Sequence, residues 1–323
     1  MITPEIDISI VVPLFNEEES LPELAAWIDR VLKKNNLSYE IIMVDDGSTD
    51  TSWEVIKGLK KDFSSIRAFS FLRNYGKSAA LQTGFQACKG KVVVTMDADL
   101  QDSPDELPDL YKMITEEGYD LVSGWKKVRH DPIMKTIPSK FFNYVTRVFS
   151  GIRLNDFNCG LKAYRLKVVK TIEVYGEMHR YIPVIAKWNG FKKIGEKVVE
   201  HRARKYGVTK FGLERFINGF LDLLSITFVS RFKKSPMHFF GTLGSLSFLL
   251  GFIFSAKILI EKVYTSNVLG IQLEREVVEQ PIFFLALAAL IIGTQLFLAG
   301  FLAELISRNE PKRNEYHIEE EIK

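Results

Sequence analysis

Of all the residues in this sequence that could do chemistry, the pair Asp97 and Asp99 has the most suggestive setting. It follows a run of strand formers, Val92, Val93, Val94, Thr95 and Met96, so both carboxylates fall where a strand leaves its sheet. Two residues apart, they lean toward one face. Like charges held so close call for a cation between them. Hard oxygen ligands with open positions suit Mg²⁺ or Mn²⁺ that also holds a diphosphate, and Gln101 adds a carbonyl oxygen nearby. A solvated turn explains the same letters, because Ser103-Pro104-Asp105-Glu106 follows with the marks of a helix N-cap and a proline in the first turn. The two readings are compatible.

The elements around the pair decide what else can reach it. Residues 8–13 form a near-continuous apolar run ending at Pro13, the pattern of a strand buried on both faces. Ser20 and Glu23 make a capping box for a helix with Leu21, Leu24, Ile28, Val31 and Leu32 on one face. A second strand covers 39–44, and Thr51 with Glu54 caps a second helix. A third strand covers 66–72, a third helix 76–88 and a fourth strand 91–96. This alternation predicts an α/β fold of βαβ units with a mostly parallel sheet. In such sheets ligands bind beyond the carboxyl ends of the strands. Asn16 and Glu17, Asp45 and Asp46, and Asp97, Ala98 and Asp99 all fall at that edge, so three coincident exits point to one site. A dinucleotide fold would place G-x-G-x-x-G after the first strand, where this chain has Pro13-Leu14-Phe15-Asn16-Glu17. Any phosphate charge must then be met by a cation and by basic side chains.

Further along, a helix is expected from 103 to about 117 and a strand over 120–124. Residues 133–152 mix Lys135, Lys140 and Arg147 with Phe141, Phe142, Tyr144 and Phe149, which suits either an amphipathic core helix or a helix lying on an anionic membrane surface. The segment Asn155-Asp156-Phe157-Asn158-Cys159-Gly160 reads as a turn into a strand, and 195–202 as another strand followed by a basic loop.

Composition narrows the classes. A net charge of +3 over 323 residues does not call for nucleic acid. Cys88 and Cys159, far apart, make neither a disulfide framework nor a zinc spacing, and the acidic N-terminus lacks a signal-peptide pattern. The division expected is a catalytic domain over 1–212, an amphipathic juxtamembrane helix over 213–235, and a hairpin of two membrane helices, about 236–260 and 281–303, with a short solvated tail at Glu319-Glu320-Glu321. Arg231, Lys233 and Lys234 before the hairpin and Arg308, Lys312 and Arg313 after it put both flanks, the catalytic domain and both termini in the cytoplasm of an integral membrane protein of the plasma or inner membrane. Gly241, Gly244, Gly251, Gly293 and Gly300 would allow close helix packing, within the hairpin or in a homo-oligomer.

Four ordered motifs carry a resemblance that covers nearly the whole chain: residues 11–18 (VVPLFNEE), 44–50 (VDDGSTD), 73–77 (RNYGK) and 97–101 (DADLQ). Together they resemble family 2 glycosyltransferases of the GT-A fold, and in particular the polyprenyl-phosphate group with two C-terminal membrane helices, similar to dolichol-phosphate mannosyltransferases. The resemblance implies inverting transfer of a sugar from a nucleotide-diphosphate sugar to a polyprenyl phosphate. It places Pro13, Asn16, Glu17, Asp45, Asp46, Lys77, Asp97 and Ala98 around the donor nucleotide, with Asp46 at the base. Asp97, Asp99 and Gln101 hold Mg²⁺ or Mn²⁺. Residues 204–210 (RKYGVTK) resemble the family's Arg-x-x-Gly-x-Ser-Lys stretch with Thr209 for Ser, which gives Arg204 and Lys210 to phosphate. Relatives often place an arginine for the acceptor phosphate where this chain has Trp125-Lys126-Lys127, leaving Lys126 or Arg129 as the substitute. Asp156 stands where many such transferases carry a general base. A phosphate monoester is largely dianionic at neutral pH and needs no base, so Asp156 is either a base for a hydroxyl acceptor or an orienting group. A glycan or lipid hydroxyl acceptor, or a non-catalytic membrane scaffold, remains as an alternative.

Overall fold

The computed structural model describes residues 6–127, 143–148, 150–202, 205–206, 236–267, 277–308 and 318–322. The chain divides into two compact units, Met1–Thr227 with Arg313–Lys323, and Phe228–Lys312.

The first unit is built on the expected alternation. Strands β1 (Ile8–Leu14), β2 (Tyr39–Asp45), β3 (Ile66–Phe71) and β4 (Val92–Thr95) alternate with helices α1 (Leu21–Lys34), α2 (Ser52–Asp62) and α3 (Lys77–Ala87). After α4 (Leu107–Thr115) come β5 (Leu121–Trp125) and β6 (Lys162–Arg165). Two short helices that the periodicity did not announce follow, α5 (Leu166–Thr171) and α6 (Ile182–Trp188), and then β7 (Ile194–Val198). The sheet runs β7-β5-β6-β4-β1-β2-β3-β8, where β8 is Ile318–Ile322. Strand β1 lies parallel between β2 and β4, which explains its unbroken apolar run: Ile8, Ile10, Val11 and Val12 are fully buried between helices on both faces. Strand β6 is antiparallel to both of its neighbours, β4 and β5. It therefore brings the chain entering it, residues 156–161, to the edge where β4 ends in Asp97.

Two expected caps are not made. Ser20 has no side-chain bond to the start of α1; its hydroxyl donates instead to the Glu17 carbonyl at 3.0 Å. Thr51 likewise caps nothing, because its hydroxyl donates to Glu18, which also accepts its backbone N–H at 2.8 Å. Bonds between loops take priority over the local capping pattern. Ser103 does cap, but a 3-10 turn, Pro104–Glu106, with its hydroxyl accepting from the Asp105 amide at 3.4 Å. The acidic tail is also not simply solvated: β8 pairs antiparallel with β3, Glu320 is 2.9 Å from Lys57 and accepts from Trp53, and Ile322 packs on the main core.

The second unit is a pair of helices, α7 (Pro236–Asn267) and α8 (Pro281–Arg308), so the first runs well into the segment expected to be a linker. Met237–Thr265 and Pro281–Ile306 are each long and apolar enough to cross a membrane. They stay apolar on outward faces, with Leu246, Phe252 and Leu285 more than half exposed, which is unlike the core helix of a water-soluble domain. Their contact is glycine-lined. A Cβ on Gly244 would stand 2.6 Å from the Gly293 carbonyl oxygen, and one on Gly251 would stand 2.7 Å from that of Ala286. The expected close packing is thus within the hairpin.

Candidate active site

The loops after β1 and β2 are zipped together by side chains bonding to backbone. Asn16, at φ +58°, donates its amide to Ser48 Oγ (2.9 Å), and its side-chain oxygen accepts from the Thr49 amide (2.8 Å). The Glu17 amide donates to Ser52 Oγ at 2.9 Å. Asp45, fully buried, accepts from the Ser48 amide at 3.0 Å, so it shapes its own loop. Burial raises its carboxyl above the ordinary range, and the Ser48 bonds only partly offset this. Pro13, half-buried, pairs in register with Val44 one residue before β1 ends at buried Leu14 beside these loops.

Asp46 reaches the next loop. Its carboxylate accepts the amides of Tyr75 (2.7 Å) and Gly76 (2.9 Å), which ties the exit of β2 to the start of α3. Burial outweighs those bonds and, with Asp45 adjacent, pushes its pKa up to about 6. Gly76 stands at φ +92°, a conformation open to glycine, and lets Lys77 begin the helix facing β4.

Lys77 Nζ is ion-paired with Asp97. Burial alone would raise the Asp97 carboxyl, but Lys77, Lys126 and Lys162 overcome it and hold the group at about 2. Ala98 is buried, and Leu100 sits in the left-handed region at φ +60°, where a branched side chain is strained by about 1–3 kcal/mol. That backbone reversal turns Gln101 back so that its amide donates to Asp99 Oδ1 at 3.2 Å. The Gln101 backbone carbonyl accepts from the Arg202 amide (3.0 Å), and Asp102 forms a backbone bridge with His201, so the start of the basic loop is docked on this segment. That bond engages one lone pair of the carbonyl, and the side-chain amide oxygen of Gln101 is the other oxygen this residue offers a cation.

The donor set fits Mg²⁺ or Mn²⁺. It is made of oxygens and it sits at a strand exit, although no group of three or more His, Cys, Asp and Glu side chains is assembled among the described residues. A protein contribution of two carboxylates and an amide leaves positions for a diphosphate and water, as these ions require.

Of the residues expected to serve the acceptor, fewer are described. Asp156 is 1 % exposed, and its Oδ1 accepts from the Asn158 amide at 3.0 Å. Lys126 turns inward to Asp102, 2.8 Å away; burial works against its charge, but Asp102 prevails and holds the ammonium above the ordinary lysine range. Arg204, Lys210 and Arg129, most of 133–152 and all of 213–235 lie outside the described residues.

The structure adds residues that the sequence did not single out. His179 donates its amide to Ser78 Oγ at 3.1 Å in the first turn of α3. Burial, then Lys77, Arg180 and Lys162, push its imidazole well below the ordinary histidine range, so it is neutral at pH 7. Gly160 packs against Asp97, where a Cβ would fall 2.4 Å from Oδ2. Buried Lys162 donates to the Cys159 carbonyl. A lone lysine in a short strand carries no signal that it is buried.

The profile of the family described as Glycosyl transferase family 2 matches residues 9–172, the span that holds Asp45, Asp46, Asp97, Asp99 and Asp156. The chain belongs to this family. Over 306 residues the transferase is 35 % identical to dodecaprenyl-phosphate galacturonate synthase of Rhizobium johnstonii, covering 94 % of this chain and 88 % of that one. It is 36 % identical over 255 residues to undecaprenyl-phosphate 4-deoxy-4-formamido-L-arabinose transferase of Pseudomonas savastanoi pv. phaseolicola, covering 78 % and 73 % of the two chains. Among solved structures, glucosyl-3-phosphoglycerate synthase of Mycobacterium tuberculosis, in complex with Mn²⁺, UDP-glucose and phosphoglyceric acid, superposes with a TM-score of 0.54 at 20 % identity, covering 70 % and 80 % of the two chains. The fold of this transferase is therefore GT-A, with two candidate membrane helices added.

Proposed function

We propose that this glycosyltransferase moves a sugar, with inversion, from a UDP- or GDP-sugar to a polyprenyl phosphate at the cytoplasmic face of a membrane, making a lipid-linked sugar for cell-envelope glycan or glycoconjugate synthesis. The observation that carries the reading is the similarity to the galacturonate synthase, whose name specifies a polyprenyl phosphate and which extends over nearly the whole chain, hairpin included. The basic flanks of the hairpin support the cytoplasmic face. They also give reason to regard 1–212, 213–235 and 236–323 as catalytic, juxtamembrane and membrane parts.

In this reading the zipped loops of Asn16, Glu17, Asp45 and Asp46 form the floor for the nucleotide, and Asp46 holds the loop that delivers Lys77. Asp97, Asp99 and the Gln101 side chain would hold Mg²⁺ or Mn²⁺, which neutralises charge growing on the departing diphosphate. Lys77 shares that charge from the first turn of α3, where the helix dipole also favours an anion. Arg204 and Lys210 add phosphate contacts from the loop whose start is docked on Gln101. The acceptor phosphate, dianionic at neutral pH, attacks the anomeric carbon from the face opposite the leaving group without a base. Asp156, buried and with Oδ1 held by the Asn158 amide, orients the acceptor or the sugar.

Membranes containing the protein, given radiolabelled UDP- and GDP-sugars, undecaprenyl phosphate and Mn²⁺, are expected to yield labelled lipid from one donor class, and Asp99→Asn to yield none. Absence of labelled lipid from every donor would count against the reading. Asp156→Asn separates the acceptors: a loss of less than about tenfold with an unchanged pH profile fits phosphate, and a near-total, pH-dependent loss fits a hydroxyl.

A further inference from the structure

Lys162 has no part in the reading above, yet it is only 4 % exposed and stands in the middle of a row. Register places it opposite Thr95 on β4 and opposite Ser123 on β5. Each side chain of the row donates to a backbone carbonyl of the turn 156–160. Ser123 Oγ donates to Asp156 at 3.1 Å, Lys162 Nζ to Cys159, and Thr95 Oγ1 to Gly160 at 2.8 Å. The turn so held starts at Asp156 and ends at Gly160, whose α-carbon lies against the Asp97 carboxylate. The row thus fixes the donor carboxylate and the acceptor carboxylate relative to one another.

Hydroxyls suffice to bind two of those carbonyls. The central position is filled instead by a lysine, whose pKa burial and nearby Lys77 lower from the ordinary range while Asp156 and Asp97 act to hold its charge. A buried ammonium carries a desolvation cost that a neutral donor would avoid, so its charge needs a separate explanation from its hydrogen bond.

We propose that Lys162 is a positioning residue for sugar transfer: it pins the 156–160 turn so that Asp156 faces the acceptor while Asp97 faces the diphosphate, and its buried charge lets two carboxylates and two phosphate-bearing substrates share one pocket. This rests on the assignment of Asp97 to the donor and Asp156 to the acceptor.

The test compares Lys162→Met, Lys162→Gln and Thr95→Val in the full-length protein in lipid nanodiscs, measuring kcat, both KM values, nucleotide affinity in Mn²⁺ and the melting midpoint. Losing a charged hydrogen bond predicts a fall in kcat of about 10- to 100-fold for both Lys162 variants, with nucleotide affinity within about threefold of wild type. Thr95→Val removes one neutral bond and no charge, and is expected to cost less than about tenfold. Wild-type turnover in Lys162→Gln, which keeps a donor for Cys159, would overturn the role of the charge. A parallel fall of nucleotide affinity, melting midpoint and kcat would reduce Lys162 to a structural residue. Should Lys162→Met not fold, Lys162→Gln decides the matter alone. If wild-type protein transfers sugar to polyprenyl phosphate and the variants do too, this inference fails; if wild type transfers none, the functional reading fails first.

Discussion

At Asp46 the fold works against its own carboxylate. Burial raises its pKa to about 6 from 3.8, and the amides of Tyr75 and Gly76 recover only part of the loss. The folded state therefore binds this proton more tightly than the unfolded chain does. The stabilisation is complete below about pH 4 and is lost as pH rises through about 6. A shift of this size corresponds to about 2–3 kcal/mol against the fold once the group is ionised. Asp46→Asn is accordingly expected to raise the melting midpoint at pH 7.5 and to give no gain at pH 4, read by fluorescence melts of the detergent-solubilised protein. The proposed place of Asp46 beside the nucleotide accounts for a carboxylate buried at such cost. Gly76→Ala offers a clean measure of backbone strain, because nothing lies within 4 Å of the added methyl and only the φ of +92° is violated. A loss of about 1–3 kcal/mol in denaturant titration is the expected outcome.

At the scale of elements, the strand exits could be read from sequence because apolar runs ending in Asp or Asn have a local cause, the burial of a parallel strand on both faces. The capping boxes at Ser20 and Thr51 misled, because Glu17, Glu18 and Asp50 bond across loops more than thirty positions apart in the chain. The partner of Lys126 was equally invisible: Asp102 lies in the loop after β4, the whole of α4 separates it from β5 in the chain, and antiparallel β6 sits between β4 and β5 in the sheet. The same insertion seats Gly160 on Asp97. Gly160→Ala is expected to displace that carboxylate and weaken Mn²⁺ binding by about tenfold or more, the size of one lost charged ligand contact, measured by Mn²⁺ titration with and without nucleotide. Unchanged affinity would mean that Asp97 rotates freely away from the turn.

At the scale of the whole molecule, the two long apolar helices were legible from hydropathy alone, since each stretch stays apolar over the length that a bilayer requires. Strand β8 was not. Its glutamates suggest solvent, and its partner strand lies far away in sequence, with Glu320 meeting Trp53 across 267 positions. By lying along β3 it covers an edge of unpaired backbone groups that would otherwise invite aggregation. Ending the chain at residue 312 is therefore expected to shift the purified protein toward oligomers and aggregates on size-exclusion chromatography, even with the hairpin intact.

Strand β8 also bears on a question of parity. It is made after both apolar helices, yet it pairs with a strand made before them. A chain that closes such a ladder must have crossed any intervening bilayer an even number of times. If both helices are embedded, their outer ends are expected to open on one compartment, and the connecting sequence, 268–276, on the other. Cysteines introduced in that connection and beside Glu321 should then react with an impermeant thiol reagent from opposite sides of a sealed vesicle, while the native Cys88 and Cys159, both buried, stay silent.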